Sequence, residues 1–147
     1  MASTLQNKTL TIRVIEEITH NGAKKLHVSK HEIKSINEIS ERTVSVLTTG
    51  TSLAAFDTAA AAGTFVRDDV RHLRITNLDD TNFIRLALIT DGTDVHVKVT
   101  PLDSFILTNG NAAAGEDSNA ISFDNITSIK AWADTATVDV EMFIASS

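Results

Sequence analysis

The sequence predicts an all-β fold: a single-domain antiparallel β-sandwich of about nine to eleven short strands, with jelly-roll connectivity as the favoured topology. Thr, Val and Ile supply 44 of the 147 residues, and these β-branched side chains favour strands over helices. Apolar and polar residues alternate in short runs, which clusters rich in Asn, Asp and Gly separate. No long amphipathic helical pattern lies between the runs, which disfavours a parallel α/β fold.

The first predicted element is a β-hairpin. Apolar and polar side chains alternate over residues 9–14, and the dipeptide Asn21-Gly22 is typical of a tight two-residue turn. Residues 24–29 are then the returning strand.

The stretch over residues 31–47 allows two interpretations. Isoleucines recur at every third position from Ile33 to Ile39, as on one face of a helix, whereas residues 43–49 alternate and are rich in β-branched side chains. We favour two strands, or one strand with a bulge near residues 38–42, and the alternative is a helix over residues 31–41.

The rest of the chain is predicted to alternate between strands and turns. The Asp- and Asn-rich runs 77–82 and 91–94 are typical turns, and Pro101 ends a strand because it lacks a backbone donor. The alanine-rich run 57–63 is too short for a stable helix and is expected to be a surface loop or a single turn. Strands are expected around residues 53–56, 71–76, 84–88, 95–99, 104–108, 120–124, 127–133 and 138–144.

The predicted domain organisation is a flexible N-terminal arm, residues 1–8, followed by one β-sandwich domain, residues 9–147. The N-terminal residues are polar, so no secretory signal is expected, and no apolar run approaches the roughly 18 residues of a membrane span. Residues 109–119 contain no bulky apolar side chain, and we expect this loop to project into solvent or onto a partner.

Residue chemistry predicts a protein that is not an enzyme and has no cofactor or metal. The absence of cysteine excludes disulfides, thiolate metal sites and a cysteine nucleophile, and no catalytic or phosphate-binding motif is present. His27 and His31 lie four residues apart without the accompanying carboxylate of a zinc motif. The run 91–94 could offer oxygen ligands to calcium, but it lacks the spacing of a calcium loop and a turn is needed there anyway.

Charge and aromatic content restrict the partners. A net charge of −6 argues against a nucleic-acid binder. The charge is uneven, because residues 1–50 carry +2 and residues 51–147 carry −8, which could suit docking between molecules. With one Trp and no Tyr, an aromatic platform for sugars would require an exposed Trp132.

Two arginines are predicted to share the outer face of one hairpin. If residues 77–82 join two paired strands whose apolar side chains face the core, Arg74 and Arg85 lie together outside. Such like charges are unfavourable unless an acidic group lies between them, either within the domain or on an acidic partner. With the loop at residues 109–119, this gives the candidate partner-contact residues Arg74, Arg85, Asn109, Gly110 and Asn111.

Three segments resemble a known class of proteins. They are Gly63-Thr64-Phe65, the run RHLRITNLDDTNFIRL over residues 71–86 and the run VKVTPLDSFIL over residues 97–107. These segments resemble small virion structural proteins of tailed bacteriophages, especially marine and cyanobacterial phages. The resemblance is strongest over residues 63–108 and the last strand, and a glycine is common in those proteins where Leu102 stands here.

That resemblance implies a non-enzymatic capsid decoration or cement protein with a β-sandwich fold. Its partner would be the major capsid protein, bound at capsomer junctions on the virion surface after synthesis in the host cytoplasm. A homo-oligomer is expected on a symmetric lattice, most naturally a trimer at three-fold positions. A tail or fibre accessory protein is the alternative, and a host-surface glycan-binding module is a third possibility.

Overall fold

The structure, a computed structural model, describes residues 8–92, 94–108 and 123–147. It divides into two compact units, Met1–Asn37 and Glu38–Ser147. The division therefore falls after Asn37, whereas the sequence placed a boundary after residue 8. Of the predicted arm at residues 1–8, Lys8 alone lies within the described residues, and it begins the first strand.

The first unit contains one antiparallel hairpin of strands β1 (Lys8–His20) and β2 (Ala23–Ile36). Asn21 and Gly22 connect the strands, and their φ angles of 49° and 75° are those of the two-residue turn that Asn-Gly favours. The predicted turn is confirmed. The hairpin is much longer than expected from the sequence, because the ladder continues beyond residue 29 to Ile36.

The second unit, which we call the sandwich, consists of two sheets. The strands are β3 (Glu38–Val46), β4 (Thr51–Asp57), β5 (Phe65–Val66), β6 (Val70–Asn77), β7 (Ile84–Thr90), β8 (Val95–Val99), β9 (Ser104–Thr108), β10 (Ile126–Ala133) and β11 (Val138–Ser146). One sheet has the strand order β5-β4-β10-β7-β8 and the other has the order β3-β11-β6-β9. Every pairing is antiparallel except that of β4 with the two-residue strand β5.

The order of the eight longer strands is that of a jelly roll. Numbered one to eight along the sandwich, with β5 left out, they follow the order 1-8-3-6 in one sheet and 2-7-4-5 in the other. Consecutive strands therefore alternate between the sheets, except for the hairpin of β7 and β8. The predicted all-β sandwich with jelly-roll connectivity is confirmed.

The inner faces of the two sheets form the hydrophobic core. Alternation places every second side chain of a strand on this face, as in β11, where Val138, Val140 and Met142 are buried and Asp139 is exposed. Among the largest fully buried side chains of the core are Leu53, Leu73, Ile75, Ile84, Leu86, Phe123, Ile126, Ile129, Met142 and Ile144.

A buried asparagine stabilises the connection between β6 and β7. The Asn77 side-chain amide donates hydrogen bonds to the backbone oxygens of Asn82 and Val99, at 2.9 and 3.3 Å. Its carbonyl oxygen accepts one from the N–H of Asp79, at 2.9 Å. The Asp79 carboxylate in turn accepts the N–H groups of Asn82 and Thr81, which lowers its pKa. Asn77 is fully buried with its amide satisfied.

The predicted hairpin of β6 and β7 is wrong. β6 pairs with β11 and β9 in one sheet, and β7 pairs with β10 and β8 in the other, so residues 78–83 cross between the layers. Arg74 and Arg85 consequently lie on the outer faces of different sheets. Alternation shows that a strand has one face on the core, but both layers of a sandwich produce the same pattern.

Two further expectations are settled by the strand boundaries. Residues 31–47 form two strands, because β2 ends at Ile36 and β3 begins at Glu38, so the helix alternative is wrong. The strand expected at residues 120–124 is wrong where the structure describes it, since Phe123–Asn125 forms a single 3-10 turn that buries Phe123.

Candidate interaction surfaces

The hairpin of β1 and β2, residues 8–36, is here called the hairpin arm. Opposed residues of the ladder share a face, which places Val14 and Ile18 on one face and Ile15, Leu26 and Val28 on the other. All five side chains are between 48% and 62% exposed. A two-stranded ribbon cannot bury both faces by itself, so the arm presents apolar side chains on both sides.

The hairpin arm is basic, in contrast to the remainder of the chain. Residues 8–36 contain six basic and three acidic side chains, which give a formal charge of +3, while seven basic and sixteen acidic side chains elsewhere give −9. Ion pairs of Lys24 with Glu17 and of Lys30 with Glu32, at 3.0 and 2.6 Å, lie exposed along it. The hydrogen bond and charge of Lys30 lower the pKa of Glu32. Such exposed pairs contribute little to stability.

A second surface lies on the outer face of the five-stranded sheet, and we call it the cationic face. Its basic residues are Arg85, Lys98 and Lys130. The register aligns Trp132 of β10 with Arg85 of β7 and Lys98 of β8. The next outward-facing row runs from Lys130 through Ala87 to His96.

Two of these cations lie over aromatic rings. The Arg85 guanidinium carbon lies 4.7 Å from the centre of the Trp132 ring, and Lys98 Nζ lies 4.1 Å from that of Phe83. Cation–π contacts at exposed sites are worth about 0.5–1 kcal/mol each. A Cβ on Gly50 would lie 2.6 Å from Trp132 Nε1, so glycine is needed for this close approach. Because Trp132 is half-buried beneath Arg85 and against Gly50, its ring is not an open sugar platform.

The other basic side chains of the sandwich have oxygen partners within the fold. Within the described residues, by contrast, Arg85, Lys98 and Lys130 make neither an ion pair nor a hydrogen bond. The partnered cations are Arg42, which donates to the backbone oxygen of Leu53; Arg67, 3.6 Å from Asp91; Arg71, 2.5 Å from the backbone oxygen of Asp68; and Arg74, 2.6 Å from Glu141.

The structure thus distinguishes the two arginines singled out from the sequence. Arg74 is half-buried and donates to both Glu141 and Thr76, at 2.6 and 2.5 Å, so its acidic neighbour lies within the domain. Arg85 is exposed over an aromatic ring. Their contact with a partner stays a prediction, and the other three candidates, Asn109, Gly110 and Asn111, lie outside the described residues.

Among the titratable side chains that the structure describes, His72 is the one that is buried. Its Nδ1 lies 2.9 Å from Thr108 Oγ1, and burial together with the charge of Arg74 lowers its pKa. In the part of the chain that the structure describes, no three His, Asp or Glu side chains are grouped so that they could hold a metal. Asp91 of the considered calcium run is instead paired with Arg67.

Sequence reasoning missed the hairpin arm as a surface and found Arg85 alone among the basic residues of the cationic face, for identifiable reasons. The adjacent apolar residues Val14 and Ile15 break strict alternation, which is the signal for a strand with two apolar faces. The cationic face needs the order of strands β10, β7 and β8, which no pattern within a single strand reveals. Outward positions for Arg85 and Lys98 were nevertheless predictable from alternation.

Comparison with known proteins gives no relatives. No protein-family model matches the chain, and neither the curated proteins nor the solved structures searched contain a match. Among the described residues, no helix has the length and apolar character required to cross a bilayer.

Proposed function

We propose that this protein is a non-enzymatic structural protein of a virion, a capsid decoration or cement protein that binds the major capsid protein at capsomer junctions. The hairpin arm carries the proposal, because it presents large apolar side chains on both faces. An exposed apolar surface of this kind is typical of an element that becomes buried against a partner.

The arm has the properties of a docking element. Its ladder pairs twelve residues of β1 with residues of β2, which at about 3.4 Å per residue extends over about 40 Å. Ile15 and Leu26 are 62% and 59% exposed, so burying the remaining surface of either side chain against a partner contributes about 1–2 kcal/mol. A two-stranded hairpin is marginally stable by itself, so the same burial also stabilises the arm.

The sandwich supplies a scaffold that fits the proposal. A jelly roll packs its strands around one aliphatic core, and viral capsid proteins and lectins use the same architecture. Because one fold serves many functions, the fold by itself does not assign this one. The resemblance of residues 63–108 to phage structural proteins supports a virion over other assemblies, and a symmetric lattice would favour a trimer at three-fold positions.

Co-sedimentation with phage heads that lack the protein tests this proposal. A shortened-arm variant joins Val14 directly to Asn21 and Gly22 directly to Ser29, which retains the two-residue turn and the Val14–Ser29 pair. It removes two acidic and two basic residues, so the net charge is unchanged. We expect the wild-type protein to sediment with the heads and the shortened variant to remain in the supernatant.

The matched control is Ile106→Ser. Ile106 is 48% exposed on the edge strand β9 of the sandwich, so the substitution removes a similarly exposed apolar side chain outside the arm. This variant should bind heads like the wild type. Undiminished binding of the shortened variant would contradict the role of the arm. Labelled protein found at a single vertex or along the tail would replace the decoration role with that of a tail or fibre accessory.

A further inference from the structure

The cationic face differs from the rest of the sandwich in how its charges are compensated. Arg85 and Lys98 are directly opposed in the β7–β8 ladder, and like charges in this position repel one another. Within the described residues, neither has an acidic partner within 4.0 Å. The four arginines elsewhere on the sandwich each reach a carboxylate or a backbone oxygen. In the part of the chain that the structure describes, no acidic side chain therefore compensates the repulsion between Arg85 and Lys98.

We propose that the cationic face is a second docking site, which binds a carboxylate-rich surface of another protein. A carboxylate seated between Arg85 and Lys98 would interact with both cations and relieve their repulsion. Lys130 lies on the neighbouring strand one outward-facing row away, and it extends the site toward a second carboxylate. This proposal concerns a surface other than the hairpin arm and does not depend on the partner being a virion.

The cations are held in place before any partner arrives. The Trp132 ring lies against Arg85, and the Phe83 ring lies against Lys98, so each charged group has a preferred position above the sheet. Gly50 lets the indole ring approach the backbone closely, which fixes the ring in turn. A long side chain held in this way loses less conformational freedom on binding than a free one.

The same contacts favour an acidic protein over a nucleic acid or a glycan. Bases and sugars bind by stacking on exposed aromatic faces, but Arg85 and Lys98 each occupy one face of these rings. Outside the hairpin arm the chain carries a formal charge of −9. A nucleic acid would bring a long run of phosphates toward this negative charge and be repelled by it. A protein surface can place two or three carboxylates locally without that repulsion.

Binding of a defined peptide to the purified full chain tests the proposal. The probe is a fluorescent peptide of alternating Asp and Ser, followed by anisotropy at low and at physiological ionic strength. We expect saturable binding that weakens with salt. Combining Arg85→Gln, Lys98→Gln and Lys130→Gln should weaken binding at least about tenfold, because the variant removes every cation of the site.

A matched variant separates a specific site from net charge. Lys24→Gln, Lys25→Gln and Lys34→Gln combined remove three cations from the hairpin arm and produce the same net charge. This variant should bind the peptide within about twofold of wild type. Thermal melting followed by circular dichroism establishes that both variants are folded. Equal weakening in the two triple variants would overturn the proposal, since non-specific attraction would then explain the binding.

A charge reversal and a second ligand complete the test. Arg85→Glu with Lys98→Glu should switch the preference from the Asp-Ser peptide to a Lys-Ser peptide of the same length. A single-stranded oligonucleotide of equal charge should bind more weakly than the acidic peptide. Tighter oligonucleotide binding that depends on the same three cations would replace the acidic protein with a nucleic acid and overturn the proposal. Since no phage head enters these assays, their failure leaves the proposed role of the arm intact.

Discussion

The hairpin arm and the sandwich use the same aliphatic residues with opposite results. Ile18 in the arm is 61% exposed, whereas Ile129 in β10 of the sandwich is fully buried. Both residues lie in antiparallel ladders, Ile18 opposite Lys25 and Ile129 opposite Leu88, and the pairing of β10 with β4 has a register irregularity directly after Ile129. The difference comes from the second layer, because the sandwich covers one face of every sheet and the arm is a single ribbon.

This comparison shows that strand formation and burial are separate properties. In the sandwich, alternation directs apolar side chains toward the opposite sheet, and their removal from water stabilises the fold. In the arm, the turn at Asn21-Gly22 and the ladder define the shape. Apolar side chains near the turn, such as Ile15 and Ile18, remain exposed, whereas Ile33 and Ile36 at the other end of β2 are buried. An exposed isoleucine near the turn of the arm therefore contributes little to the stability of the free protein, whereas a buried isoleucine of the sandwich contributes much.

The largest expected effect comes from making the same substitution, isoleucine to alanine, once in the sandwich and once in the arm. Ile129→Ala should lower the free energy of unfolding by about 2–5 kcal/mol, because it leaves a cavity between the sheets. Ile18→Ala should change it by less than about 0.5 kcal/mol, because the side chain is already exposed. Urea unfolding of both variants measures the difference. Equal losses would mean that the arm is buried in the free protein.

The next effect concerns the corner that turns the chain from one sheet to the other. Asn77→Ala should lower the free energy of unfolding by about 1–3 kcal/mol, since the backbone oxygens of Asn82 and Val99 lose their donor. Thr135→Ala is a control, because it removes an exposed hydrogen bond to the Asn82 side chain. A loss in Asn77→Ala no larger than in this control would contradict the importance of the buried amide.

The third effect depends on pH. Burial, with the charge of Arg74, lowers the pKa of His72 in the folded protein below the ordinary value of 6.5, so the folded protein binds fewer protons than the unfolded chain. The stability contributed by the neutral ring is present above pH 6.5 and is lost as the pH falls below it. His72→Gln should flatten this part of the stability profile. Urea unfolding of the wild type and of the variant at a series of pH values measures the two profiles. A variant whose stability falls below pH 6.5 as steeply as that of the wild type would contradict this role of His72.

The smallest effect contrasts the turns of the two regions. In the arm, Gly22 has a positive φ of 75°. In the sandwich, Leu102 has a positive φ of 60°, and its side chain is 69% exposed. Leu102→Gly should raise the melting temperature by an amount that corresponds to up to about 1 kcal/mol, because it relieves the left-handed backbone. Gly22→Ala should lower it. An unchanged or lower melting temperature in Leu102→Gly would show that the leucine makes a compensating contact.

Much of the fold could be predicted because it is encoded locally. Alternation located the strands that contain Leu73, Ile84 and Val138, and Asn21-Gly22 marked the hairpin turn. The assignment of strands to sheets could not be predicted in this way, since it depends on long-range pairing. For this reason the sequence prediction assigned Arg74 and Arg85 to one hairpin, whereas they lie in different sheets.

The cationic face was predictable in part, and the exposure of the hairpin arm was not. Outward positions for the basic residues of β7 and β8 follow from period two. Arg85 was selected because it was expected to lie beside Arg74 on the outer face of one hairpin, which the structure shows to be wrong. Its true like-charged neighbour is Lys98, which the alternation of β8 already placed outward. The exposure of the arm could not be predicted, because the sequence does not show which strands lack a covering layer.

The jelly-roll order also determines when each region can form. Strand β11 is the last of the eight in chain order, yet it lies between β3 and β6 and completes their sheet. The four-stranded sheet therefore cannot assemble until β11 is available, and such non-local pairing slows folding to about milliseconds to seconds. A hairpin closes in about 1–10 μs, because its contacts are local. During synthesis the hairpin arm can therefore form first, before the sandwich that is to carry it has closed.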